Sequence, residues 1–151
     1  MLSDEQARGI ALFFLFSLMD EKTALAAAHK AVASAKAAAP KASQTPSETA
    51  IVTVLRKTFE THRKLLPRNR PTEAPLSWKL PPGIDAQAWA KFHQDSSDGE
   101  IVAIVLAKVL GFSEEAIAEG LNVSLGTLKY RIGKGMRQLG AALGRSHTAR
   151  A

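Results

Sequence analysis

Lys129, Arg131, Lys134 and Arg137 fall within nine residues, and no acid occurs anywhere from Asn122 to the C-terminus. Ser124, Gly126 and Thr127 stand just before them, and Tyr130 stands among them. Lysine and arginine neutralise phosphate oxygens, and they also pair with guanine edges in a major groove. Threonine and tyrosine hydroxyls can bond either a base edge or a phosphate. A small residue at a helix start lets the backbone come close to a ligand. These residue types suit recognition of duplex DNA. Ser124, Gly126, Thr127, Lys129, Tyr130, Arg131, Lys134 and Arg137 are the candidate DNA-binding residues.

Catalytic chemistry has little to stand on. The four histidines, His29, His62, His93 and His147, are scattered without an HExxH or other paired spacing. The GKGM at Gly133–Met136 lacks the loop glycines of a phosphate cradle. Asp95 and Asp98, in DSSDG, are too few for a calcium loop. There is no cysteine, which removes disulfides, thiolate metal sites and cysteine nucleophiles. The expectation is a binding protein, not an enzyme, with no cofactor.

The candidate residues need a frame, and the local signals describe a helix-turn-helix. Ser113 suits an N-cap, and Glu114 and Glu115 suit the first turn that follows. Ile117 and Leu121 face inward, and Ala118 permits a close helix approach. Asn122 suits the left-handed backbone of a helix exit. Val123 fills the turn, and Ser124 caps the next helix. At about 100° per residue, Leu125, Leu128, Ile132, Met136 and Leu139 make an inner stripe. Gly126, Thr127, Tyr130, Lys134 and Arg137 then point outward, with Lys129 and Arg131 at the edges. A plain helical hairpin with a solvated basic tail is the competing reading.

The rest of the chain also follows a helical period. Ser3 and Gln6 form a capping-box pattern before a helix of about 4–19. An Ala-rich helix of about 21–39 follows, with Leu25, Ala28, Val32 and Ala35 on one stripe, ended by Pro40. A third spans about 47–66, with Ile51, Val54, Leu55, Thr58, Phe59 and His62 inward. Residues 67–83 carry five of the seven prolines, and Trp78 among them suits packing on a neighbour. Helices of about 86–94 and 100–110 follow, the second capped by Ser97 or Asp98 and stopped by Gly111. The expectation is an all-α chain of two small helical domains. Residues 1–66 form the first, 67–84 a Pro-rich linker, 85–144 a four-helix helix-turn-helix domain, and 145–151 a basic tail.

The net charge is +6 over 151 residues. Asp4 and Glu5 stand where a secretory leader needs basic residues. The apolar run at 10–19 is too short to cross a bilayer. A cytoplasmic protein with no membrane partner is expected.

The stretch Glu100–Leu139 resembles the C-terminal promoter-reading domain of bacterial RNA polymerase sigma factors, especially the small extracytoplasmic-function type. The resemblance rests on the apolar helix IVAIVLAKVLGF, the step Gly111-Phe112-Ser113, the E-x-IA motif at Glu115–Ala118 and GTLKYRI at Gly126–Ile132. It covers about forty residues. Response-regulator output domains share the layout but usually lack the basic pattern that follows GTLK. The resemblance implies that the second helix reads a promoter −35 element, with Thr127, Lys129, Tyr130, Arg131 and Lys134 at the DNA-facing positions. It implies RNA polymerase core as a partner and an anti-sigma factor as another. Tyr130 departs from the family's small polar residue, and DGEIV replaces an arginine at the start of the apolar helix. The N-terminal half is only loosely similar, and Phe59 is the only aromatic from Ser17 to Ser77. A sigma-like regulator or adaptor that binds protein without melting promoters is the alternative.

Overall fold

A computed structural model of the chain describes residues 1–39, 44–68, 81 and 83–150, side chains being described as far as residue 144. The described residues are helical throughout, without strands, as expected. The helices are α1 (Asp4–Leu18), α2 (Glu21–Ala38), α3 (Glu48–Arg63), α4 (Ala86–Asp95), α5 (Asp98–Ile104), α6 (Glu114–Leu121) and α7 (Leu125–Arg150). A π-helical turn, Val105–Val109, extends α5. The apolar helix expected at 100–110 is therefore α5 plus this wider turn.

Each start follows from a capping residue. The Ser3 hydroxyl accepts from Gln6 N–H, and the Gln6 side chain accepts from Ser3 N–H, both at 3.1 Å. Asp20, Ser47, Asp85, Ser97 and Ser113 cap α2 to α6 in turn. Each such bond satisfies a helix N–H that has no partner within its own helix.

α1 is the central helix. Ile10, Phe13, Phe14, Phe16 and Leu18 are all buried. The Phe13 and Phe14 rings meet edge-on at 4.9 Å, and Phe13 meets Phe59 of α3 at 6.2 Å. α2 packs on α1 through alanines: Ala24, Ala27, Ala28, Ala31 and Ala35 are buried. Leu25, expected on that stripe, is 55% exposed instead. The alanine face lets the helix backbones approach more closely than a leucine would.

The segments 1–66 and 85–144 do not hold separate cores. Buried residues of α1, α2 and α3 form one apolar cluster with those of α4 to α7. Several contacts join the halves, two of them through directional hydrogen bonds to backbone groups. Trp89 Nε1 donates to the Phe16 carbonyl at 2.8 Å, and His93 Nε2 lies 2.7 Å from the same oxygen. α3 also lies along α6. There the Ser113 N–H donates to Glu48 Oε1 at 3.0 Å, and Arg56 Nε donates to the Gly120 carbonyl at 3.1 Å. Most of the expected linker, Trp78 included, lies outside the described residues. The expected basic tail continues α7 as far as Arg150.

Gly120 is the tightest point of the α3–α6 contact. A Cβ there would stand 2.5 Å from Val52 Cβ and 3.1 Å from the Thr49 carbonyl. Neither neighbour is the free end of a flexible chain, so the two helices would have to separate. Gly120→Ala should therefore destabilise the fold by about 1–3 kcal/mol. Urea unfolding followed by helical circular dichroism should show this as a lower midpoint at unchanged slope.

Candidate nucleic-acid interface

The helix-turn-helix is built from α6 and α7. Asn122 has φ 57° and ψ 46°, the left-handed region expected for this exit. That conformation aims Val123 N–H at the Ala118 carbonyl (3.0 Å) and Asn122 N–H at the Glu119 carbonyl (3.1 Å), closing α6 with a Schellman pair. Ser124 begins the next helix directly: its hydroxyl accepts from Thr127 N–H at 3.0 Å and donates to Thr127 Oγ1 at 2.9 Å. A short helix and a long one are thus joined through one left-handed residue and one cap.

The rotation of α7 is set from its buried side. Leu128 and Ile132 are buried, as expected. Gly135 joins them, because a Cβ there would lie 2.5 Å from Ile104 Cγ1. Gln138 accepts from the Ser96 hydroxyl and donates to the Asp95 carbonyl, both at 2.8 Å. The inner stripe is therefore Leu128, Ile132, Gly135 and Ala142, with Leu139 partly buried. Leu125 and Met136, expected on it, are 37% and 42% exposed. The close approach at Gly135 rotates the contact line away from Met136.

The eight candidate residues fall into two groups. Ser124, Gly126, Thr127, Lys129, Tyr130 and Arg137 are exposed, and Tyr130 is 64% so. A Cβ on Gly126 would meet nothing nearer than 4.0 Å, so its missing side chain leaves open surface at the start of α7. Free N–H groups and the positive end of the helix dipole also face outward at such a start.

Arg131 and Lys134 are half-buried and turn toward α5. The Arg131 guanidinium covers Gly99, where a Cβ would stand 3.4 Å from its Nε and Cζ. Lys134 Nζ lies 3.5 Å from Glu100 Oε2. Both had been expected among the DNA-facing residues. The spacing rule points Lys134 outward and leaves Arg131 at an edge; the contact line set by Gly135 turns both toward α5 instead.

Glu100 was not singled out by the sequence, although the S-x-x-E pattern with Ser97 was legible. Its carboxylate accepts from Ser97 N–H at 3.3 Å, and the Ser97 hydroxyl accepts from Glu100 N–H at 3.2 Å. Burial works against ionisation of this carboxyl. The bonds from Ser97 and then the Lys134 charge outweigh burial and hold it below its ordinary value.

Of the histidines, His62 Nδ1 donates to the Thr58 carbonyl at 2.9 Å, and His93 serves the Phe16 carbonyl. Among the described residues, no cluster of three or more His, Asp or Glu is placed to hold a metal ion, and no helix is long and apolar enough to cross a membrane. The chain has no significant match among family models, curated proteins or solved structures.

A carboxyl whose value is depressed by folding stabilises the fold above its unfolded value, and that contribution is lost as pH falls through the folded one. Glu100→Gln should therefore cost about 1 kcal/mol near neutrality. The gap between variant and parent should shrink as pH falls below the ordinary value of 4.5. Urea midpoints across pH 3–7 check this, and a gap that stays constant with pH would remove the ionised Glu100 from the account.

Proposed function

We propose that the chain is a DNA-binding transcription factor of sigma-factor type. The start of α7 reads a promoter −35-like element, and the chain also contacts RNA polymerase. One observation carries this: Gly126, Thr127, Lys129 and Tyr130 at the start of α7, and Arg137 about three turns further along, form an exposed, acid-free basic surface on a helix that follows the Asn122 turn. The resemblance of Glu100–Leu139 to promoter-reading domains supports it.

The contacts divide by reach. Lys129 and Arg137 neutralise backbone phosphates, which sets affinity and salt dependence. Thr127 and Tyr130 face base edges, where a hydroxyl can bond and a ring can meet a thymine methyl. Lys134 serves first as the partner of Glu100, so its role is to hold α7 on α5.

A second reading is a sigma-like regulator or adaptor that binds polymerase or an anti-sigma partner without melting promoters. The state of the N-terminal half favours it. Strand separation needs aromatic surfaces for unstacked bases. Phe59 is 6% exposed and packs on Phe13, and α3 is engaged along α6. Duplex binding without opening is the form of the proposal that fits both observations.

Fluorescence anisotropy with promoter duplexes across a salt series tests the DNA contacts. Lys129→Ala combined with Arg137→Ala should weaken binding at least tenfold at low salt. It should also flatten the log–log salt slope by about 1.8, from roughly 0.9 per phosphate contact. Unchanged affinity and slope would overturn the DNA reading. Retention of core polymerase by a chain that binds no duplex would favour the adaptor.

A further inference from the structure

α3 extends past the C-terminal end of α6 and over the helix-turn-helix turn. It leaves a cleft of about 430 Å³ there, bounded by α3, α5, the turn and α7. That volume falls within the range of small-molecule sites, roughly 300–1,000 Å³. The floor is apolar: Phe59, Val102, Leu121 and Val123. The rim carries four cations, Arg56, Arg63, Lys64 and Arg131, against two acids, Glu60 and Asp98.

The rim cations are not equivalent. Arg56 is engaged with the Gly120 carbonyl and, at 3.8 Å, with Glu60. Arg63 reaches Asp98 at 3.5 Å and donates to the Pro67 and Arg68 carbonyls. Lys64 and Arg131 have no acid within ion-pair distance among the described residues. Arg131 is also half-buried, with its guanidinium held against Gly99. A half-buried guanidinium with no carboxylate within ion-pair distance among the described residues, beside an apolar floor, is suited to a carboxylate that brings its own apolar body. A phosphodiester strand fits less well, because it would set charge against Phe59 and Val102.

We propose that this cleft binds an aryl carboxylate. The ring lies on Phe59, Val102, Leu121 and Val123, and the carboxylate is shared by Arg131 and Lys64. The site lies off the Gly126–Tyr130–Arg137 surface, so it stands whether or not that surface binds DNA. Its walls belong to both halves of the chain, so an occupant holds α3 on the helix-turn-helix.

Titration calorimetry of the full chain with 3-phenylpropanoate and with its neutral amide tests this. The acid should bind at least tenfold more tightly than the amide. Arg131→Gln and Lys64→Gln should each weaken the acid several-fold, while Lys30→Gln on α2 should leave it unchanged. Lys64 is exposed, so its variant keeps the test open if Arg131→Gln does not fold. Equal affinity for acid and amide, no binding of the acid at millimolar concentration, or full affinity in both rim variants would each overturn the proposal.

Discussion

The Phe16 carbonyl is where α1 and α4 are clasped together. It sits near the C-terminal end of α1, where helix carbonyls lack partners within their own helix. Trp89 and His93, one turn apart on α4, both aim ring nitrogens at it. Both side chains are buried, so neither donor has water as a substitute. The Trp89 ring also meets Phe16 edge-on at 5.1 Å. An apolar contact alone would let α4 slide along α1. Two directional bonds to one oxygen fix its height and rotation; α7 packs along α4, and α5 packs on α7.

The exposed basic surface of α7 depends on that frame through close approaches made by glycines. Gly120 lets α3 lie against α6, and Gly135 lets α7 lie against α5. Each brings charged groups to short range: Arg56 to the Gly120 carbonyl on one side, Lys134 to Glu100 on the other. The basic character of α7 is consequently divided. Lys129 and Arg137 stand on its exposed face, while Lys134, turned toward α5, is spent on Glu100.

The sequence made the elements legible because capping is local. Ser3 with Gln6, Ser113, Asn122 and Ser124 all do what their neighbours in sequence dictate. Directions around α7 were legible in part: Leu128 and Ile132 face inward and Thr127 and Tyr130 outward as the period requires, but Leu125, Met136 and Lys134 do not follow it. What the sequence hid was each side chain's opposite number. Lys134 and Arg131 are ordinary basic residues until Glu100 and Gly99 are brought beside them from about thirty positions away. The polyalanine of α2 concealed which alanines pack, since nothing in composition separates Ala27 from Ala26. The proline-rich stretch suggested two cores, but a break in helix is not a break in packing. Gly120 and Gly135 carry a signal of close packing, because a glycine inside a helix is costly unless another element needs the space.

The clasp at Phe16 also has an order in time. Its donors lie 73 and 77 residues further along the chain. At about 5–20 residues per second of synthesis, roughly 4–15 s separate the emergence of acceptor and donors. During that interval α1 presents Phe16 and its carbonyl with no α4 to cover them. A protein made only of helices would otherwise be expected to settle from local contacts. Here the clasp between α1 and α4 can close only after Trp89 and His93 have left the ribosome.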